Sequence, residues 1–99
     1  MRQRDLGKTG LKVSELALGT WGLSGEGYGP VPETEQDAVI DRALAMGITL
    51  FETADSYAKG EMEKRLGARL TKEALVATKL GTDLASSPPR KRFDAEYLR

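Results

Sequence analysis

Cysteine and histidine are both missing from this chain of 99 residues. Without cysteine there is no disulfide, no thiolate nucleophile and no soft metal site, which is compatible with a reducing compartment. Without histidine the usual general base and the commonest metal ligand are gone as well. No apolar run approaches the roughly 20 residues needed to span a bilayer, and Met1-Arg2-Gln3-Arg4-Asp5 leads into no apolar signal segment. The reading is therefore no membrane partner, with the cytoplasm as the default location. Net charge is absent too. Fifteen Lys and Arg balance fifteen Asp and Glu, leaving no global field to draw in nucleic acid or an anionic surface. The one basic run, Arg90-Lys91-Arg92, follows Ser86-Ser87-Pro88-Pro89 and reads as a solvated loop. Aromatics are few, at 6% of residues, so nucleic-acid binding has little support.

What remains is an ordinary globular composition, 39% apolar and 30% charged, and enough chain for one domain over residues 1–99. Arg2 to Leu6 and Leu11 to Val13 flank Gly7-Lys8-Thr9-Gly10, a pattern that predicts a hairpin. Leu16-Ala17-Leu18 reads as a short buried strand ending at Gly19-Thr20-Trp21-Gly22. Residues 22–32, with four glycines and two prolines, read as a loop. Thr34 is expected to cap a helix, with Asp37 in capping-box position. Ile40, Ala43 and Leu44 follow at helical spacing, and Gly47 fits a stop. Ile48 to Thr53 predicts a second strand. Glu61 to Leu70 predicts a second helix weakened by Gly67, and Leu75 to Thr78 a third strand. Phe93 to Leu98 starts a third helix, capped by Asp94. Strands alternating with helices imply parallel pairing through helical crossovers.

Glu52, Tyr57 and Lys79 all fall at the C-terminal ends of these parallel strands or just after them. That edge is where parallel α/β architectures collect active sites. Neighbouring strands lie about 4.8 Å apart, so Lys79 can approach Tyr57 and pair with Glu52. A nearby ammonium favours the phenolate and lowers a tyrosine's pKa, while a carboxylate holds the lysine charged and oriented. The trio would then be a general acid able to protonate a carbonyl oxygen. The same residues can equally make a solvated ion pair of little energetic worth. Gly19-Thr20-Trp21-Gly22 is a second cluster: glycines let backbone approach a flat ligand and an indole offers a wall, unless the tryptophan plugs the core. Gly25, Gly27 and Gly29 match no phosphate-binding pattern and read as flexible loop.

Taken together, Gly10-Leu11-Lys12-Val13-Ser14, Leu16-Ala17-Leu18-Gly19-Thr20-Trp21, Phe51 to Tyr57, Gly60-Glu61-Met62-Glu63 to Leu66-Gly67 and Thr78-Lys79-Leu80-Gly81 resemble the N-terminal third of an aldo-keto reductase. The resemblance implies the hairpin and β-α-β-α-β portion of a (β/α)8 TIM barrel, stopping before closure. It also implies NADPH-dependent reduction of a small-molecule aldehyde or ketone, with NADH as the alternative cofactor. By motif, Tyr57 takes the place of the proton-donating tyrosine and Lys79 that of its lysine. Glu52 stands where the family has aspartate. Gly19, Thr20 and Trp21 fall at positions that line the nicotinamide and substrate pocket. Met62 stands where serine often opens the second helix, at the expected cost of a cap. The family's histidine and cofactor-gripping loops would lie beyond residue 99. A TIM barrel typically needs about 250 residues, so three strands are expected to leave an unpaired edge and an uncovered apolar face. The isolated chain is therefore expected neither to bind NADPH tightly nor to turn over. The rival reading is a non-catalytic module that self-associates, or binds a partner, through that edge.

Overall fold

A computed structural model describes all residues, Met1–Arg99. The chain opens with an antiparallel hairpin, β1 (Gln3–Asp5) against β2 (Lys12–Ser14), with Arg4 opposite Val13. Its turn is closed by the Leu6 N–H donating to the Leu11 carbonyl at 2.9 Å. The hairpin is pinned to the start of the main sheet by a reciprocal pair. The Ser14 N–H donates to the Thr49 hydroxyl oxygen and the Thr49 N–H to the Ser14 hydroxyl oxygen, both at 2.9 Å.

The main sheet is parallel, in the order β3 (Ala17–Gly19), β4 (Leu50–Glu52), β5 (Leu75–Ala77), with Leu18, Phe51 and Val76 in register. Helices α1 (Glu33–Ala45) and α2 (Glu61–Arg69) form the crossovers and pack on each other. Ile40 and Ala43 from α1, Met62 and Leu66 from α2 and Phe51 from β4 make the buried core. Gly47 ends α1 at φ +89°. Its N–H donates to the Leu44 carbonyl and that of Ile48 to the Ala43 carbonyl, both at 3.0 Å, the paired bonds of a left-handed helix stop. Between the helices, Arg65 pairs with Glu33 at 2.8 Å and with Asp37, while Arg69 meets Asp41 at 2.5 Å.

Four sequence expectations are corrected. Thr34 does not cap α1: the helix begins at Glu33 after Pro32 with no side-chain cap, and the Asp37 carboxylate is taken by Arg65 instead. The strand at Leu16–Leu18 runs Ala17–Gly19 and is mostly exposed, because it is an edge of the sheet and Leu16 falls outside it, 60% exposed. Gly67 does not interrupt α2, where a side chain at that position would meet only open space. The stretch read as a loop contains a two-residue ladder, β6 (Thr82–Asp83) against β7 (Arg90–Lys91). The buried Asp83 organises it, accepting the Ala85 and Ser86 N–H groups at 3.1 and 3.3 Å with the Arg92 guanidinium 3.6 Å away. The last helix, α3 (Ala95–Leu98), is capped by Asp94 through the Tyr97 N–H at 3.2 Å.

The three-stranded sheet does not close. Its edges, β3 and β5, are unpaired, and 12 of 99 residues are buried. The radius of gyration is 14.8 Å, against about 13 Å for a compact chain of 100 residues. No helix is long and apolar enough to cross a membrane.

Met62 is a core residue, 1% exposed, and it lies one position inside α2, where a serine could not act as the N-cap. Met62→Ser should therefore destabilise the chain by about 2–5 kcal/mol, the range for emptying a buried methionine site. The midpoint of urea unfolding measures this. A variant as stable as the parent would mean that the α2 contact with Phe51 contributes little.

Candidate active site

Backbone hydrogen bonds carry the sheet beyond its strands and place the site. The Thr53 N–H donates to the Ala77 carbonyl at 2.9 Å and the Asp55 N–H to the Lys79 carbonyl at 3.2 Å. The chains after β4 and β5 thus stay side by side past their last ladder residues. Lys79 arrives beside the turn that leaves β4. That turn is a 3-10 segment, Tyr57–Gly60, in which Ala58 and Lys59 adopt left-handed conformations at φ +51° and +55°. Two non-glycine residues there cost of the order of 1–3 kcal/mol each.

Glu52, Tyr57 and Lys79 meet at this edge. The Lys79 ammonium donates to Glu52 Oε1 at 2.5 Å, to the Thr53 carbonyl at 3.0 Å and to the Tyr57 hydroxyl oxygen at 3.2 Å. Those three bonds use all its protons. The Tyr57 hydroxyl in turn donates to Glu52 Oε1 at 2.8 Å, so its proton points at the carboxylate. Burial works to raise the Glu52 carboxyl, but the hydrogen bonds from Lys79 and Tyr57, with the lysine's charge, outweigh it and hold the group below its ordinary 4.5. The Lys79 ammonium is held above its ordinary 10.5, first by the bond to Glu52 and then by Tyr57.

Both shifts tie the stability of the fold to pH. The lowered Glu52 contributes stability that is present above pH 4.5 and lost as pH falls through its folded value. The raised Lys79 contributes stability present below pH 10.5 and lost as pH rises through its own. The trio is intact across the neutral range. With the Lys79 and Glu52 side chains 56% and 38% exposed, solvent screening keeps the energetic worth of the pair small.

The second cluster is arranged differently from the motif reading. Gly19 lies opposite Glu52 in the ladder, and a Cβ there would come 3.2 Å from Glu52 Oε2. Its bare backbone thus makes room for the carboxylate. Thr20 is fully buried, with its N–H and hydroxyl both donating to the Glu52 carbonyl, at 3.1 and 2.9 Å. Its side chain does not reach the open face. Trp21 is 47% exposed and stands edge-on to Tyr28, ring centres 5.8 Å apart. The loop glycines let these rings lie close: a Cβ at Gly27 would come 3.0 Å from the indole.

Sequence reasoning missed two contributors. The Thr53 carbonyl is the third acceptor for Lys79, and no sequence signal marks a backbone atom. Glu26, in the glycine-rich loop, accepts the Ala58 N–H from 32 residues away, a pairing that local patterns do not reveal.

A hairpin followed by an unclosed parallel β-α-β-α-β sheet, with a phenol, an ammonium and a carboxylate in mutual contact at its strand-end edge, has the architecture of one third of a (β/α)8 barrel. The chain belongs to the aldo/keto reductase family, whose sequence model matches residues 15–99. It is 34% identical over 107 residues to pyridoxal 4-dehydrogenase of Microbacterium luteolum, an alignment covering 96% of this chain and 31% of that protein. Its fold is similar to an aldo-keto reductase from Bacillus halodurans in its holo form, with a TM-score of 0.78 and 30% identity over 99% of this chain and 33% of that one. It is similar also to the aldo-keto reductase PA4992 of Pseudomonas aeruginosa, with a TM-score of 0.75 and 32% identity over 96% of this chain and 37% of that one. The chain spans about a third of the length of the relatives it matches.

Replacing Lys79 by methionine should raise the Glu52 titration midpoint, because burial remains while the charge and one hydrogen bond are removed. The Glu52 side-chain carboxyl carbon resonance, followed from pH 2 to 7, reads this directly. A midpoint that stays in place would show that the ion pair does not hold the carboxylate in solution.

Proposed function

We propose that this segment supplies the proton-donor half of a carbonyl reductase site, with Tyr57 as the acid and Lys79 and Glu52 setting it. The observation that carries the reading is the three-way contact of Lys79 Nζ, Tyr57 Oη and Glu52 Oε1. The substrate class is an aldehyde or ketone. Its carbonyl oxygen would take the place of Glu52 Oε1 as the acceptor of the tyrosine's hydrogen bond, and the proton would pass from Tyr57 to that oxygen. The oxygen left behind on Tyr57 would keep the Lys79 ammonium as its hydrogen-bond donor, 3.2 Å away.

The residues present fit the reactive end of a nicotinamide cofactor and no more of it. Gly19 is exposed at the strand end, its missing Cβ giving room to the Glu52 carboxylate, and Trp21 offers an exposed indole wall. The phosphate end has no counterpart, because both cavities of the chain lie elsewhere. One, about 270 Å³, is between α1 and α2 at Asp37, Glu61, Arg65 and Arg69. The other, about 360 Å³, lies along α1 and β3 at Leu18, Val39, Met46 and Ile48. NADPH bound at such a site would supply the hydride to the carbonyl carbon, with NADH as the alternative.

Glu52 bears on rate. Its longer side chain lets one oxygen accept from both the phenol and the ammonium, so it competes with substrate for the Tyr57 proton. A chimera carrying this segment in place of the matching third of the Bacillus halodurans protein tests the reading. It should oxidise NADPH with a simple aldehyde, with kcat falling about 100-fold or more in Tyr57→Phe and rising in Glu52→Asp. A folded, NADPH-binding chimera whose rate ignores Tyr57→Phe would sink the assignment.

A second reading rests on the two free sheet edges and the apolar groove beside β3. β5 of one copy can continue the parallel ladder onto β3 of the next, bringing the exposed Val76 toward that groove. Self-association then leaves the trio a structural cluster. Light scattering should show a mass that rises with concentration, and Val39→Glu in the groove should return it to the monomer. A monomer at all concentrations rules this out.

A further inference from the structure

We infer that Glu26 is a positioning residue for Tyr57: its carboxylate reaches from the loop that carries Trp21 and Tyr28 and holds the left-handed turn on which Tyr57 stands. The inference rests on Tyr57 being the residue that acts. Within the turn, the Tyr57 N–H donates to the Ala54 carbonyl at 3.2 Å and the Lys59 N–H to the Ser56 carbonyl at 3.0 Å. The N–H between them, that of Ala58, goes to Glu26 Oε1. Ala58 and Lys59 both sit near φ +50° and ψ +39° without being glycine. Such a conformation persists where the surroundings over-determine it, and a carboxylate accepting a backbone N–H is a strong, directional way to do that.

Apart from a long contact with the Ser24 hydroxyl of its own loop at 3.4 Å, the Glu26 carboxylate has the Ala58 N–H as its only hydrogen-bond partner. It forms no ion pair, although most acidic side chains near a cation do. Its own loop is built around Trp21. The Ser24 hydroxyl donates to the Trp21 carbonyl at 2.5 Å, and the Glu26 N–H lies 3.4 Å from that hydroxyl oxygen. Gly27, the next residue, packs under the indole, and Tyr28 stands against its edge. One carboxylate therefore ties the half-exposed aromatic pair to the turn that presents the phenol. Loosening it frees two things together: the direction of the Tyr57 ring and the placement of the indole wall beside it.

The test needs no turnover. In a Tyr28→Phe, Tyr97→Phe background Tyr57 is the only tyrosine, and its ring resonances report its placement. Glu26→Ala should speed exchange of the Ala58 amide by about tenfold or more, the factor expected for losing a charge-assisted hydrogen bond. It should also shift the Tyr57 ring signals, while the α1 and α2 amides keep their protection. Glu26→Gln, whose amide oxygen still accepts, should retain most of the parent behaviour. Adding Ala58→Gly and Lys59→Gly to Glu26→Ala relieves the left-handed strain. It should return the Tyr57 signals toward the parent while the amide at position 58 stays fast. That split marks a residue acting through the turn. Tyr57 signals unmoved by Glu26→Ala, or unrestored by the glycine pair, overturn the inference. An inactive chimera with parental Tyr57 signals counts against the reductase reading alone.

Discussion

The site and the fold share one residue, and the bond between Lys79 and Glu52 is where they join. Glu52 is the last residue of the central strand. Its carbonyl receives the N–H and hydroxyl of Thr20 from one neighbouring segment. Its carboxylate receives the ammonium of Lys79 from the other. The same carboxylate oxygen accepts the Tyr57 hydroxyl from the turn that follows. Three chain segments distant in sequence are therefore held together at one edge by the two ends of a single side chain and backbone. A parallel sheet makes this convergence geometrically cheap, because all its strands end on the same side. What the sheet does not dictate is which side chains meet there. That depends on hydrogen bonds running past the ladder, from Thr53 to Ala77 and from Asp55 to Lys79.

The rest of the chain is thin by comparison. Five side chains from two helices and one strand form the core, and they cover one face of a sheet whose two edges are open. The helices add an ionic seam. Arg65 and Arg69 lie across Glu33, Asp37 and Asp41, and Arg69 holds the Asp41 carboxyl below its ordinary range through their hydrogen bond. The outer pairs, Arg65 with Glu33 and Arg69 with Asp41, are open to solvent on their acidic side and contribute little to stability individually. Their value is in register, since charges one helical turn apart on α1 meet charges one turn apart on α2. Met62 and Leu66 are thereby held against Phe51 and Ile40, and the strand that ends in Glu52 is backed by packed side chains.

Much of the architecture was legible from period and punctuation. Gly47 announced the end of α1, the β-branched run before Glu52 announced the central strand, and Asp94 announced α3. Glu52, Tyr57 and Lys79 were legible as a trio because parallel strands must deliver their ends to a common edge. The failures have physical causes of their own. Thr34 and Asp37 spelled a capping box, but Arg65 lies 28 residues beyond Asp37 and outbids the local bond. The β6 and β7 pairing rests on one buried carboxylate, Asp83, and two-residue strands carry no alternation to detect. Thr20 matched a pocket-lining position by motif yet spends its hydroxyl on the Glu52 carbonyl. Motif spacing tells where a residue sits along the chain, whereas its orientation is decided by which polar groups lie within reach. Glu26 lay outside any motif for the converse reason: what gives it a partner is the backbone conformation of Ala58 and Lys59, which neither residue's identity suggests.

The exposure of the trio sets how strongly it can act. An ammonium–phenol–carboxylate cluster tunes proton affinity through charge, and charge acts in proportion to the water excluded around it. Here the Lys79 side chain stands 56% exposed on an open edge, where water screens its charge. The three-way contact is nonetheless assembled, with Lys79 Nζ and the Tyr57 hydroxyl both bonded to Glu52 Oε1. Assembly of the trio and its insulation from water are therefore separate steps. Strand register and the Glu52 bonds accomplish the first within these residues. The second requires walls around the strand-end edge, which three strands with open edges do not form. The one bond that reaches this edge from the loop of Trp21 and Tyr28 is that of Glu26 to the Ala58 N–H, and it acts on the turn that carries Tyr57 rather than on the water around the trio.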